Sequence, residues 1–412
     1  MRFLHAADLH LDTAPSGLRS YPPAVAEVLR DSSLRAFDRL VDAALAHRVS
    51  CCVLAGDVYD GVERGTRAQL RFRDGLERLS AAGVRTFVVH GNHDPVEAGW
   101  DAVRSWPDLV TVFEPGDPET VVFVDGDTPV AVQGVSYGQR AEHRNLARLF
   151  RPVPDGAFGI GLLHTNVGGV RGHADYAPCS LADLAEVGAR CGIDYWALGH
   201  VHNRSVLAGP HPWVVYPGCT QGRHPGASER GAKGAVLVDV TGGRAAEPSF
   251  VALDEVRFVE LEVDVDPLAD LGELHDDLRD RADALLAEHA GRSLVLRATL
   301  RGRGPLHAAL AREGTEPLLQ ELCRPDATPF VWWDRIADRT SPATDLDAAR
   351  RADDLLGHVL ARIDDLDDDA VTATLARLPE AARSALAGAG DADDWRAGAA
   401  VAVADLLVGD AS

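Results

Sequence analysis

Short apolar runs alternate with longer amphipathic stretches over the first 240 residues of the 412-residue sequence. Strands interleaved with helices produce this pattern. "RFLHA" (2–6) predicts a strand. Residues 24–47 then place Val28, Leu29, Leu34, Phe37, Leu40, Val41 and Leu45 at helical spacing. "CCVLAG" (51–56) and "RTFVVHG" (85–91) predict two more strands, with a helix over 64–82 between them. "VVFVD" and "PVAVQGV" follow each other closely, as antiparallel strands do. A helix over 140–150, a strand at "FGIGLLH", a helix over 180–190 and a strand at "DYWALGH" come next. "PWVVYPG" and "GAVLVDV" close the block. Strands that both alternate with helices and run consecutively predict an α/β fold, with two mixed β-sheets sandwiched between helices.

"TGGRAAEP" (241–248) is turn-rich and has no periodicity, which marks a domain boundary. Beyond it the pattern predicts a strand over 256–265, a helix over 268–290, a strand over 293–301 and short helices to about 322. "PFVWWDRI" adds a strand. Residues 345–366 and 370–409 read as helical, broken by "AGAGDADD". The expected organisation is a principal domain at 1–245, a smaller α+β domain at 250–340 and an acidic helical tail at 345–412.

Charge sharpens that division. The formal net charge of -22 splits into -5 for residues 1–250 and -17 for residues 251–412. An acidic chain is a poor non-specific partner for nucleic acid, so any DNA contact has to be local and in the first part. No apolar run reaches the ~18 residues that span a bilayer. "MRFLHAADLH" carries a histidine and an aspartate where a signal peptide would be apolar. A cytoplasmic chain with no membrane role is expected. The six cysteines have no paired spacing and read as reduced thiols.

Five polar stretches sit at the ends of predicted strands, where α/β folds build their sites. They are "ADLH" (Asp8, His10), "AGDVYD" (Gly56, Asp57, Asp60), "GNHD" (Gly91, Asn92, His93, Asp94), "LLHTN" (His164) and "GHVH" (His200, His202). Taken alone, most have a bland reading as turn residues or a satisfied core histidine. His200 and His202, two apart, face the same side of an extended segment, which also happens by chance. Together, two aspartates, one asparagine and four histidines arrive at successive strand ends. That set suits two five- or six-coordinate divalent cations sharing one carboxylate. The absence of thiolates favours manganese, iron or zinc in a catalytic setting over a structural zinc. Such a pair would clamp a phosphate and activate water for in-line displacement. Glycine before Asp57, Asn92 and His200 is expected to let the backbone turn tightly.

D-x-H, G-D-x-x-D, G-N-H-D, an isolated H and G-H-x-H, in this order over residues 1–240, resemble the calcineurin-like metallophosphoesterases. The resemblance implies that Asp8, His10 and His202 hold one metal and that Asn92, His164 and His200 hold the other, with Asp57 bridging. His200 and His202 would then reach different ions. It implies that His93 contacts the scissile phosphate and donates a proton to the leaving oxygen, with Asp94 orienting it. "FLHAADLHLD", "HTNVGG", "DYWALGHVHN" and "VVYPGCTQGRH" are similar to DNA repair exonucleases of the SbcD type, and among them to the YhaO-type branch. "VRFVELEVDV", "SLVLRATLRGRGPLHAAL" and "PFVWWDRI" resemble their capping domain. Relatives with histidine in place of Asp60 use it on the phosphate. An aspartate cannot do this, so Asp60 is expected to orient a histidine or a water.

The resemblance implies a manganese-dependent DNA exonuclease, with single-strand endonuclease activity as a further mode. The partners it implies are DNA and a coiled-coil ATPase subunit, and pairing with a second copy of the chain belongs with them. The tail after 345 is a docking candidate or a solubilising appendage. Arg140, Arg144 and Arg148, spaced by four, and Arg64, Arg67 and Arg71 are candidate DNA contacts, or else a solvated face paired with local acids. Arg223 and His224 line the site mouth or serve loop hydrogen bonds. Two other functions stay open: a phosphomonoesterase or small-molecule phosphodiesterase on the same fold, and a scaffold subunit that binds DNA ends without cutting.

Overall fold

Alternate burial along the first strands builds two cores at once. In β1 (Arg2–Ala6), Phe3 joins one apolar cluster while Leu4 and Ala6 join another on the opposite face. β2 (Cys51–Ala55) repeats this, with Cys51, Val53 and Ala55 on the first face and Cys52 and Leu54 on the second. A sheet apolar on both faces has to be covered on both. The structure is a computed structural model and describes residues 1–412 except 14, 16, 62–64, 98–101, 104, 170–175, 290, 343–344, 378–390 and 409–412.

β3 (Arg85–Val89) and β4 (Val110–Val112) extend β1 and β2 in parallel. The second sheet contains β5 (Glu119–Asp125), β6 (Thr128–Val135), β7 (Phe158–His164), β8 (Tyr195–Gly199), β9 (Ser205–Ala208) and β10 (Trp213–Tyr216), in the order β5-β6-β7-β8-β10-β9. β5 and β6 pair antiparallel, whereas β6, β7, β8 and β10 run parallel. β11 (Gly234–Thr241) returns to the first sheet antiparallel to β1, with β12 (Arg244–Ala245) and β13 (Ser249–Ala252) against it.

Phe3, Val53 and Phe87 of the first sheet pack against Val132, Ile160 and Tyr195 of the second. Outside the first sheet lie α1 (Pro23–Ala46) and α2 (Thr66–Ala81), anchored by Phe37, Leu40, Phe72 and Leu76. Outside the second lies α3 (Leu181–Cys191), anchored by Leu184 and Val187 against Trp196. The result is four layers, helix–sheet–sheet–helix, as the apolar pattern predicts. A Ser180–Asp183 capping box starts α3, and Gly192 at φ 72° ends it.

The helix expected over 140–150 does not form; only a 3₁₀ turn, Leu146–Leu149, is present. The Glu142 carboxylate takes the Arg144 amide at 2.8 Å, and the Glu142 carbonyl takes the Ala177 amide. These bonds compete with helical ones.

Two compact units emerge. The first contains Met1–Val259, Leu286–Leu296 and Arg324–Trp332; the second contains Glu260–Leu285, Arg297–Cys323 and Trp333–Ser412. β14 (Val256–Asp264), β15 (Ser293–Gly304) and β16 (Val331–Pro342) form a three-stranded sheet. Helices Leu306–Glu313 and Glu316–Leu322 and most of Leu271–Glu288 fall in the second unit, and the tail forms helices that include Leu355–Asp364 and Ala392–Val408. Among the described residues no helix is long and apolar enough to cross a membrane.

Candidate metal centre

Five parallel strands deliver the polar stretches to one place. β1, β2 and β3 of one sheet and β7 and β8 of the other end beside the same cluster. Asp8, His10, Asp57, Asn92 and His164 are all under 5% exposed, and His200 is also buried. Several sit in the left-handed region that side chains avoid: Asp8 at φ 51°, His10 at 43°, Asp57 at 51° and His200 at 105°. Each such residue costs about 1–2 kcal/mol, and strain of this kind collects at functional sites. His200 and His202 are therefore not on an extended segment. β8 stops at Gly199, and the His200 amide turns to donate to both Asp8 carboxylate oxygens at 3.1 Å. Only Gly56, at φ 90°, has the turning role expected of the three glycines. Gly91 is required for space, since a Cβ there would lie 2.3 Å from Asp57 Oδ1.

The donor atoms face one another in a way that calls for a cation. His164 Nδ1–H donates to the Ala55 carbonyl at 2.9 Å, so its Nε2 carries a lone pair. That lone pair looks at Asn92 Oδ1, 3.0 Å away, and at Asp57 Oδ2, 3.5 Å away. His200 Nδ1 lies 3.1 Å from the same Asn92 oxygen. On the other side His202 Nδ1–H donates to Glu229 at 2.6 Å, which leaves its Nε2 lone pair 3.3 Å from His10 Nε2 and 4.0 Å from Asp8 Oδ1. His10 Nδ1 is buried with no hydrogen-bond partner. Asp57 stands between the two sets, with its Oδ2 3.9 Å from His10 Nε2.

The electrostatics agree. Burial, reinforced by the charge of Asp94, pushes the Asp57 carboxyl up to about 7. Burial and the charge of Asp57 push Asp8 well above the ordinary carboxylate range. Burial holds His164 down at about 4. Buried carboxylates beside neutral imidazoles are a set that divalent cations neutralise and satisfy. The residues present fit two such ions.

His93 stands at the edge of the cluster, its side chain 31% exposed and its amide on Asp57 Oδ1 at 2.9 Å. The carboxylate that holds its ring is Asp60, 2.6 Å from Nδ1. This corrects the expectation for Asp94. That carboxylate is fully buried and accepts from the amides of Val58, Tyr59 and Gly91 and from His90 Nδ1 at 2.8–3.3 Å. Adjacent residues in an irregular loop point to different sides, so Asp94 ties the two loops together while Asp60 reaches His93. The bond to Asp60 raises the His93 pKa against the opposing effect of burial.

The candidate DNA-contact arginines largely face acids. Arg144 pairs with Glu142 at 2.7 Å and Arg148 with Asp183 at 2.7 Å. Arg67 pairs with Asp12 and Asp31, and Arg71 with Asp38. Arg140 is exposed, and Arg64 lies outside the described residues. With no helix over 140–150, Arg140, Arg144 and Arg148 share no helical face.

Three residues of the loop after β10 also reach the site, and only one of them stood out in the sequence. Arg223 Nη1 lies 3.1 Å from Asp60 Oδ2. Glu229, 1% exposed, accepts from His202. Lys233, the sole lysine of the sequence, is buried and donates from Nζ to the His202 carbonyl at 3.0 Å, Asn203 Oδ1 at 3.3 Å and the Ser228 carbonyl at 2.5 Å. The singularity of that lysine was the available signal.

The chain is similar to known proteins. Residues 1–204 match the calcineurin-like phosphoesterase family, and residues 258–341 match the middle domain of the metallophosphoesterase YhaO. The metallophosphoesterase YhaO of Bacillus subtilis is 34% identical over 383 residues, 92% of this chain and 91% of the relative. The DNA double-strand break repair protein Mre11 of Aeropyrum pernix is 29% identical over 53% of either chain. That of Methanopyrus kandleri is 27% identical over 62% of this chain and 58% of its own. Among solved structures, a dimetal phosphatase from Danio rerio aligns over 61% of this chain at 16% identity and a TM-score of 0.37. The chain belongs to the calcineurin-like metallophosphoesterases of the YhaO type, phosphoester hydrolases of a family that works with a dinuclear divalent metal centre.

Proposed function

We propose that the chain is a two-metal DNA phosphodiesterase, an exonuclease of DNA repair that also cuts single strands internally. One observation carries the reading: metal-ligating atoms of His164, His202, Asn92, Asp57 and Asp8 converge in one buried cluster, next to a histidine held by a carboxylate. In this reading Asp8, His10 and His202 hold one ion, Asn92, His164 and His200 the other, and Asp57 bridges. Bound there, divalent cations, manganese in this proposal, supply the positive charge that steadies in-line displacement at phosphorus. His93 donates a proton to the leaving oxygen, and Asp60 fixes its ring for that transfer. DNA as substrate rests on the Mre11 relatives, which are DNA double-strand break repair proteins by name. A coiled-coil ATPase docking on the acidic tail is part of the same proposal and rests on the resemblance to SbcD-type nucleases alone.

A second reading has its own support. Arg67, Arg71, Arg144 and Arg148 all face acids, which suits a small phosphoester better than a DNA track. One assay separates the two. The protein, with Mn²⁺ or with chelator, is incubated with end-labelled linear DNA and with p-nitrophenyl phosphate esters, alone and with its ATPase partner. Metal-dependent shortening of DNA is expected. Ester turnover with untouched DNA would establish the second reading. Silence on both substrates would point to a non-cutting scaffold.

A further inference from the structure

We propose that Glu229 is a positioning residue of the metal centre, fixing the tautomer and angle of His202 so that Nε2 is presented to one of the two ions. The inference rests on the assignment of His202 as a metal ligand. Glu229 Oε1 lies 2.6 Å from His202 Nδ1, on the ring edge opposite the nitrogen that faces His10 and Asp8. A carboxylate at that edge orients the ring and makes its far nitrogen a stronger donor. The His164 ring is oriented differently, by the Ala55 carbonyl. The two ions would therefore respond differently to loss of Glu229.

Glu229 is itself held in place. A buried carboxylate is tolerated only when its oxygens are satisfied. Here the Arg223 amide donates to Oε2 at 3.0 Å, Cys219 Sγ lies 3.6 Å from the same oxygen, and Arg223 Nη2 lies 3.7 Å from Oε1. The loop bearing Glu229 is pinned to the His202 backbone. The Cys219 amide and Lys233 Nζ both donate to the His202 carbonyl, at 3.2 and 3.0 Å. Gly218, at φ 80°, passes so close that a Cβ would lie 2.7 Å from that carbonyl. His202 is thus fixed at both its ring and its backbone by one loop.

Calorimetric titration of Mn²⁺ into the metal-free full-length protein tests this without reference to catalysis. The wild type should bind two ions. Glu229→Gln keeps the shape but presents an uncharged amide; one ion should weaken by about 10–100-fold while the other is unchanged. Glu229→Asp keeps the charge and should weaken the same ion less, and it carries the test if the glutamine variant does not fold. Two unaltered sites in both variants would overturn the inference. So would a third wild-type site lost with Glu229, because Glu229 would then be a ligand in its own right with Cys219. A wild type that binds no Mn²⁺ would overturn the metal assignment along with it.

Discussion

His93 lies at the mouth of the cluster with part of its ring exposed, whereas Asp94, its neighbour in sequence, is fully buried. The two should fail differently. His93→Ala is expected to lower cleavage by about 10²–10⁴-fold, the range for a lost general acid, with Mn²⁺ binding unchanged by calorimetry. Loss of metal in that variant would make His93 a ligand instead. Asp94→Ala leaves three loop amides and His90 without their acceptor. It should destabilise the metal-free protein by about 3 kcal/mol or more, read as a lower urea midpoint; an unmoved midpoint would refute the tying role. The seven ligand candidates were legible because each follows a strand end in sequence. Glu229 was not, since nothing near it in sequence shows that His202 is its partner.

At the scale of the element, β1 and β8 belong to different sheets and are joined by His5. Its Nδ1 meets the Tyr195 hydroxyl and its Nε2 the Leu198 carbonyl, both at 3.1 Å. Burial pushes its pKa down to about 3 from the usual 6.5. Between those values the unfolded chain binds a proton that the folded chain refuses. Stability from this group is therefore complete above pH 6.5 and is lost as pH falls toward 3, by up to about 1.4 kcal/mol per pH unit. His5→Gln should flatten that part of the profile when urea midpoints are compared from pH 4 to 8. An identical slope in both proteins would place the acid sensitivity elsewhere. The arginines near 140–150 illustrate where pattern misleads. Spacing by four suggested a helix, but Glu142 captures both a backbone amide and the Arg144 side chain. Arg144→Ala and Arg148→Ala should change the KM for DNA by less than about twofold, as for exposed paired charges. A steep rise would restore the basic track.

On the scale of the whole molecule, strands that both alternate with helices and run consecutively sufficed to foretell two mixed sheets covered by helices. Long-range pairing was harder to read. β11 joins β1 across more than 200 residues, and the first unit takes up segments as late as Trp332. Local composition carries no record of such connections. One compositional fact does reach across the molecule. Lys233 is the only lysine among 41 basic residues, and it lies buried against the loop that bears His202. A reagent that acylates primary amines therefore meets a single internal target, separable from the Met1 amine by peptide mapping. Its rate at Lys233 reports how often that loop opens. Acylation should be slow in the Mn²⁺-loaded protein and faster after chelation, followed by mass spectrometry. Equal rates would mean that the loop stays shut without the ions. The sequence thus supplies its own chemical clock for the opening of its metal centre, with no label engineered in.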